Sequence, residues 1–450
     1  MPRVLPQAGG LSARRLAMVG GVLLSVFAIA ERADAQTMSP SSATIGVAQS
    51  VTLTAYTKTG ATMTNAKWSS SSNSIASVSG GVVTAKAPGQ VTVTASKRGQ
   101  KATATIVVSS TPDPDPDPDP DPIPSPSPGY IWISPQELAA RPTSGTAWTN
   151  LLSAANQSCG IPNIDNQDDP VNVCIMAKAL VFARTGNVAM RIDVASAVNS
   201  VIVLNKPYSG RALALGRELI SYVIAANLIN LSTYDPSLDA EFRQTIRTLL
   251  TTFTSDGPDD LIECHELRPN NWGTHCGASR AAVAAYLGDT AQLNRIAQVF
   301  KGWLGDRAAY AGFSYGELSW QCDPAKPVGI NPMGCSKDGH SLDGVLPDDQ
   351  RRGGSYSWPP TGENYVYEAL QGALAQAVIL HRAGYDVFNW SNRALLRAFQ
   401  WQHSQAGYPA EGDDTWQPHL INFFYGTSFP APIPARPGKN VGWTDWTHKR

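Results

Sequence analysis

Two different hydrophobic rhythms divide the chain. Between residues 37 and 110 apolar positions alternate with Ser and Thr, as in Ser50-Val51-Thr52-Leu53-Thr54-Ala55, Gly81-Val82-Val83-Thr84-Ala85 and Gln90-Val91-Thr92-Val93-Thr94-Ala95. A period of two with Gly and Pro punctuation predicts short strands half-buried against one core, a small β-sandwich with Trp68 as its large aromatic anchor. From Tyr130 onward the rhythm lengthens to helical spacing, over 135–157, 171–185, 188–204, 212–231, 236–254, 277–287, 289–304, 363–383 and 391–404. Gly186, Gly288 and Gly384 follow apolar runs as helix stops do, and Asp289 or Ser391 suits the cap of the next start. The stretch 305–362 breaks the pattern with Gly, Pro, Trp, Asp and Arg. A loop of that length inside a helical domain is more often functional than idle.

Between the two regions, residues 111–129 hold five consecutive Asp-Pro pairs and then Ile-Pro-Ser-Pro-Ser-Pro-Gly. Proline removes donors and favours an extended backbone, so this reads as a semi-rigid spacer reaching up to about 60 Å. At the front, Arg14 and Arg15 precede an apolar run from Leu16 to Ala30, followed by Ala33-Asp34-Ala35, the small-x-small pattern of a cleaved export signal. Gly20, Gly21 and the stop at Glu31-Arg32 make it a poor membrane anchor, which needs about 20 apolar residues. The expected organisation is therefore a signal peptide at 1–35, a β-sandwich at 36–110, a linker at 111–129 and an all-α domain at 130–450. Export to a secreted or periplasmic location follows, with no membrane span after cleavage. Six cysteines in three close sequence pairs agree, and nearest-neighbour bridges 159/174, 264/276 and 322/335 are expected. A zinc site is the rival, without CxxC or HxxxH spacing to support it.

Composition narrows the classes. With 35 Lys+Arg against 36 Asp+Glu, 16% charged and 42% hydrophobic residues, neither a charge-rich disordered chain nor a generally basic nucleic-acid binder fits. The β-segment alone carries Lys58, Lys67, Lys86, Lys97, Arg98 and Lys101 with no carboxylate. That charge attracts polyanions, although lysines on exposed strands also guard sheet edges. Residues 130–450 are mildly acidic, so a polyanion site there requires a local cluster of Arg and Lys. Eleven of the twelve tryptophans lie beyond residue 130, available as core or as sugar platforms.

Two segments carry candidate chemistry. Glu263-Cys264-His265-Glu266-Leu267-Arg268-Pro269-Asn270-Asn271-Trp272-Gly273-Thr274-His275-Cys276 precedes an Ala-rich helix, and a Cys264–Cys276 bridge would restrict Asn271, Trp272 and His275. Asn270 or Asn271 merely turning the chain, with Trp272 as a packed lid, is the structural alternative. The second runs from Asp343 through Asp348-Asp349-Gln350-Arg351-Arg352-Gly353-Gly354 to Gly362-Glu363-Asn364-Tyr365-Val366-Tyr367-Glu368. Arg352 offers a fork of donors matched to a carboxylate, and a tyrosine beside such a cation is able to move a proton. Equally, Tyr365 and Tyr367 are ordinary helix aromatics if the arginines pair with Asp348 and Asp349.

Two resemblances sharpen this picture. Lys67-Trp68-Ser69-Ser70-Ser71, Ile75-Ala76-Ser77-Val78 and Gly89-Gln90-Val91-Thr92-Val93-Thr94-Ala95 make the first segment similar to the bacterial immunoglobulin-like (Big) family. Asn270-Asn271-Trp272-Gly273-Thr274-His275, Leu346-Pro347 through Arg351-Arg352-Gly353, and Asn364-Tyr365-Val366-Tyr367-Glu368-Ala369-Leu370 occur in the order found in the alginate-lyase-like superfamily of polysaccharide lyases. Roughly 130–450 also resembles the glucuronan lyases, including Trp416-Gln417-Pro418 and Gly442-Trp443-Thr444-Asp445-Trp446-Thr447.

The resemblance implies an (α/α) toroid around a groove, with Asn271, His275, Arg352 and Tyr365 as catalytic residues. Asn270, Trp272, His340, Arg351, Glu363 and Tyr367 would bind substrate. The chain departs from the pattern at the histidine: Trp272 follows the asparagine where alginate lyases place it, so His275 and His340 compete. Arg351 and Arg352 compete likewise. The implied reaction is β-elimination on a 1,4-linked uronate of alginate, polymannuronate or glucuronan. Asn, His and Arg would neutralise the carboxylate, and Tyr365 would take H5 and protonate O4. That scheme needs no metal or cofactor, and a monomer acting on an acidic polysaccharide is expected. The alternatives are a toroid glycoside hydrolase pairing Glu263 or Glu266 with Asp348, Asp349 or Glu363, and a non-catalytic polysaccharide-binding or adhesion protein.

Overall fold

In the computed structural model, the described residues are 36–47, 50–59, 61–109, 129–204, 208–255 and 260–449. The expected signal peptide and nearly all of the expected linker lie outside them. The chain divides into two compact units at Pro118/Asp119.

The first unit contains strands β1 (Thr37–Ser39), β2 (Ser42–Gly46), β3 (Ser50–Thr52), β4 (Thr54–Tyr56), β5 (Lys67–Ser70), β6 (Ala76–Ser79), β7 (Val82–Ala85), β8 (Gly89–Lys97) and β9 (Gln100–Ser109). One sheet runs β2-β9-β8-β5 and another β3-β7-β6, with β1 paired to β4. β2 joins β9 in parallel, whereas β8 pairs antiparallel with both β9 and β5. Alternation sets the faces: Val91, Val93 and Ala95 of β8 are buried while Gln90 and Thr92 are exposed. Those side chains meet Ala76, Val83 and Ala85 of the other sheet in one core. Trp68 packs against that core's margin and is only half-buried.

The second unit is helical: α1 (Pro135–Ala140), α2 (Thr146–Ala155), α3 (Val171–Thr185), α4 (Val188–Leu204), α5 (Ala212–Leu228), α6 (Leu231–Tyr234), α7 (Pro236–Leu249), α8 (Leu261–Leu267), α9 (Asn271–Leu287) and α10 (Thr290–Trp303). Then come hairpin β10 (Ser336–Lys337)–β11 (His340–Ser341), α11 (Pro347–Gln350), α12 (Asn364–Arg382), α13 (Trp390–Gln400), α14 (Gln417–Tyr425) and α15 (Thr444–Thr447). Packing closes into an (α/α) toroid, for α3 touches α5, α5 touches α9, α9 touches α12, α12 touches α14, α14 touches α15, and α15 returns through α2 to α3. The inner helices are buried all round, every residue of α5 from Ala212 to Ala226 and of α12 from Val366 to Arg382 included. Close approach is built in at two glycines. A Cβ on Gly216 would fall 2.8 Å from the Cys276 nitrogen, and one on Gly372 would run into the His275 backbone.

Several boundaries differ from the sequence reading, each for a local reason. The expected helix 135–157 is two, because Pro142 and Gly145, at φ +86°, interrupt it. Gly186 and Gly288 do end their helices in left-handed conformation, and the Asp289 carboxylate caps α10. Ser391 is not a cap: it lies within α13 at φ +50°. The largest difference is that α9 begins at Asn271 rather than 277, because the Asn270 side chain caps it. Asn271 and His275 are thus helical rather than in a constrained loop. The cysteines pair as 159/174, 264/276 and 322/335, and the second bridge staples α8 to α9. Within 305–362, Trp320, Leu342 and Val345 pack on Trp401 as a small core of their own.

Candidate active site

Four inner helices begin at one cleft of about 420 Å³. Gln167 lies just ahead of α3, Arg211 is the residue before α5, Asn271 opens α9, and Asn364 and Tyr365 open α12; all five line the cleft. Each helix start carries about half a positive charge on unsatisfied N–H groups, so their convergence favours an anion. Side chains add to it: Arg211, Arg217, Arg352 and Lys439 line the cleft against two carboxylates, Glu363 and Glu368. The local basic cluster that a mildly acidic domain needs is therefore present.

Asn271 is positioned from below. Asn270 accepts from the Trp272 N–H (3.2 Å) and donates to Asp348 Oδ2 (3.0 Å), while the Asn271 N–H donates to Asp349 Oδ1 (3.0 Å). Burial, then the neighbouring Asp348, pushes the Asp349 carboxyl well above the usual range. Asn271 is 1% exposed, yet neither its Oδ1 nor its Nδ2 has a partner among the described residues. An orphaned buried carboxamide costs about 1–3 kcal/mol, an expense that a ligand would relieve. The Nε of Arg217 and the Oε1 of Gln167 are orphaned at the same cleft.

Opposite stand Arg352 and Tyr365. The Arg352 guanidinium lies 4.0 Å from the Tyr365 ring centroid, and Glu363 caps α12 by accepting the Tyr365 N–H at 3.0 Å. Tyr365 is 38% exposed.

Residues 33–107 match the family model described as bacterial Ig-like domain (group 2). The N-terminal unit has a bacterial immunoglobulin-like fold. No curated protein matches the chain. Among solved structures, an alginate lyase from Bacteroides ovatus is 14% identical, with a TM-score of 0.41, and the alignment covers 67% of this chain and 93% of that one.

The remaining expected site residues are spread unevenly. Trp272 lines the cleft with the guanidiniums of Arg211 and Arg268 over its ring, at 4.7 and 4.5 Å. His275 does not reach the cleft lining. It is fully buried, 4.0 Å behind Glu368 Oε2, and burial, with Arg217 and Lys439 nearby, depresses its pKa well below the usual value. It is neutral at pH 7. His340 sits on the β10–β11 hairpin, stacked on Trp358 at 4.2 Å, away from the lining. Arg351 is held by Asp348 at 2.8 Å, and of the two neighbouring arginines it is Arg352 that lines the cleft. Tyr367 points into the core and donates to the Tyr408 carbonyl at 2.8 Å, and Asn270 is spent as a cap. The helical period explains the correction at Tyr367, for Tyr365 and Tyr367 two positions apart must face differently.

Three residues to which the sequence reading gave no role complete the site. Arg217, only 3% exposed, pairs with Glu368 and lies 3.4 Å from Asp168; Lys439 bridges the same carboxylates at 3.2 and 3.1 Å. Burial works against the Lys439 ammonium, but the charge of Glu368 together with hydrogen bonds to Asp168 and Glu368 raises its pKa above that of an ordinary lysine. The Lys439 backbone is tied to α12 by Gln371 (2.9 Å) and to α3 by Asn172 (2.8 Å). Glu368 was readable as the residue one turn beyond Tyr365, and Arg217 as a lone arginine in an apolar helix. Nothing local marks Lys439. Of the carboxylates considered for hydrolysis, Glu266 is bound to Arg280 and Arg295, Asp348 to Arg351, and only Glu363 lines the cleft.

Proposed function

We propose that the chain is a polysaccharide lyase that cleaves 1,4-linked uronate polymers, alginate, polymannuronate or glucuronan, by β-elimination. The orphaned carboxamide of Asn271, at a cleft ringed by helix starts and arginines, carries this reading. A uronate carboxylate is an anion that needs donors on both oxygens, and H5 beside it is acidic only once that charge is neutralised. Asn271 Nδ2 and the Arg352 guanidinium supply donors that grow stronger as charge moves from C5 onto the carboxylate in the transition state. Tyr365, as phenolate, takes H5. The C5–H electron pair becomes the C4=C5 double bond, the C4–O4 bond breaks, and O4 receives the proton from the same tyrosine. Arg352, 4.0 Å from the ring centroid, holds the tyrosine at the cleft. His275, neutral and behind Glu368, is assigned a positioning role in place of a contact with substrate. The three disulfides suit an oxidising compartment and hence export.

The test incubates purified protein with alginate, polymannuronate and glucuronan in turn, with EDTA, and follows the ultraviolet absorbance of the new double bond. A rise supports the lyase and names its polymer. New reducing ends without absorbance would replace it with a hydrolase, and binding without either product with an adhesion protein.

A further inference from the structure

Charge in the N-terminal unit is one-sided, for residues 36–110 hold six cations and no carboxylate, so no ion pair inside the unit neutralises them. Strand register gathers four of the six at one end. Lys67 of β5 stands opposite Ser96 of β8, and Ser96 stands opposite Lys101 of β9, while Lys97 ends β8 and Arg98 enters the turn to β9. Lys97 is engaged, its ammonium donating to the Thr64 carbonyl. Lys67, Arg98 and Lys101 are exposed, and their side chains make no hydrogen bond or ion pair among the described residues. Edge protection accounts for Lys67, because β5 is an edge strand. It does not account for Lys101, because β9 lies between β2 and β8.

Alternation turns Lys67 and Lys101 to the solvent face of the sheet with Ser69, Thr92 and Thr103, while Val93 and Ala102 face the core. Two strand spacings of about 4.8 Å separate the lysines, about 10 Å across Ser96. That is about the length of one disaccharide in an extended 1,4-linked chain. The surrounding hydroxyls suit sugar hydroxyls, and Trp68 packs toward the core, so this face offers the bases of a nucleic acid no ring to stack on. β9 ends at Ser109, about 27 Å along the strand from Lys101, so the chain leaves toward the Asp-Pro run from the opposite end of the sheet.

We propose that Lys67, Arg98 and Lys101, on the hydroxyl-lined face of β5, β8 and β9, form a binding surface for an acidic polysaccharide, distinct from the cleft of the helical unit. The choice of a uronate polymer rests on the lyase reading, whereas the cationic face does not. Each exposed contact is weak, so binding requires a polymer that meets several at once, and it fades as salt screens the charges.

The full chain carrying Arg352→Ala, to weaken the cleft, is run on native gels cast with alginate, polymannuronate or glucuronan, and retardation gives the affinity. At low salt at least one polymer should retard it, and its carboxyl-reduced form should not. Lys67→Gln, Arg98→Asn and Lys101→Gln together should weaken binding about tenfold, with unchanged thermal unfolding; Asn tolerates the positive φ of Arg98. Lys101→Gln alone should weaken it about two- to threefold. Lys86→Gln should change little, because Lys86 precedes β8, whose first residue pairs with Val108 at the other end of β9. Unaltered retardation of the triple variant, or an equal loss from Lys86→Gln, overturns the proposal. So does duplex DNA competing as well as the polymer at equal charge, or retardation that appears only after the five linker aspartates are changed to Asn, which would make the linker the occupant. Retardation that follows these three residues, in a protein whose Arg352 form yields no double bond on any polymer, upholds the surface and removes the lyase reading.

Discussion

Glu368→Gln tests whether the charge ring behind the cleft is as tightly coupled as its geometry indicates. Glu368 and Arg217 are 5% and 3% exposed, and removing one partner of such a buried pair costs about 3–5 kcal/mol. Asp168, 3.4 Å from Arg217 and half-exposed, returns on the order of 1 kcal/mol of that. A loss of about 2–4 kcal/mol remains, equivalent to roughly 3–6 °C in Tm for a domain of this size. Urea unfolding followed by far-ultraviolet circular dichroism measures it. Arg217→Met alone should lose a similar amount, since it strands the Glu368 charge beside Lys439. The double variant should be more stable than the sum of the two losses by about 2–3 kcal/mol, the signature of direct coupling. Strictly additive losses, or a Glu368→Gln protein as stable as the parent, would refute the reasoning.

Other outcomes follow from the same geometry. Asn271→Ala should lower kcat about 10²–10³-fold without a marked loss of stability, because the side chain has no partner among the described residues to lose and removing the orphaned carboxamide offsets the lost packing; steady-state kinetics and denaturation on one preparation check it. Tyr365→Phe should abolish double-bond formation and keep substrate affinity within a few-fold, read by absorbance and calorimetry. Burial works against ionisation of Glu137, yet hydrogen bonds from Arg382 and Ser134 hold its pKa at about 2 instead of 4.5. Its stabilisation is therefore complete above 4.5 and lost as pH falls through 2, and after solvent screening of this partly exposed carboxylate it amounts to roughly 1–2 kcal/mol. Glu137→Gln should be less stable than the parent at pH 7 by at least that much, with the gap narrowing below pH 4.5. A gap that does not change with pH would assign the loss to packing.

Local rhythm along the chain was enough to separate a strand-built unit from a helical one, because periods of 2 and 3.6 residues are set by backbone geometry alone. Neighbouring cysteines were enough to pair the bridges, since short loops close most readily. Motif order placed Asn271, Arg352 and Tyr365 in one list, and the structure brings these three to one cleft. What local sequence could not supply was depth and direction. Whether His275 meets a ligand or lies behind Glu368 depends on the cap at Asn270, which starts α9 early and turns that face inward. Whether Tyr365 or Tyr367 faces the cleft depends on how α12 is rotated in the toroid. Lys439 reaches Glu368 only because the chain near its end returns to α3 and α12, where Asn172 and Gln371 hold its backbone. Charges brought together from residues 168, 217, 368 and 439 interact through space, and no window of sequence contains them all.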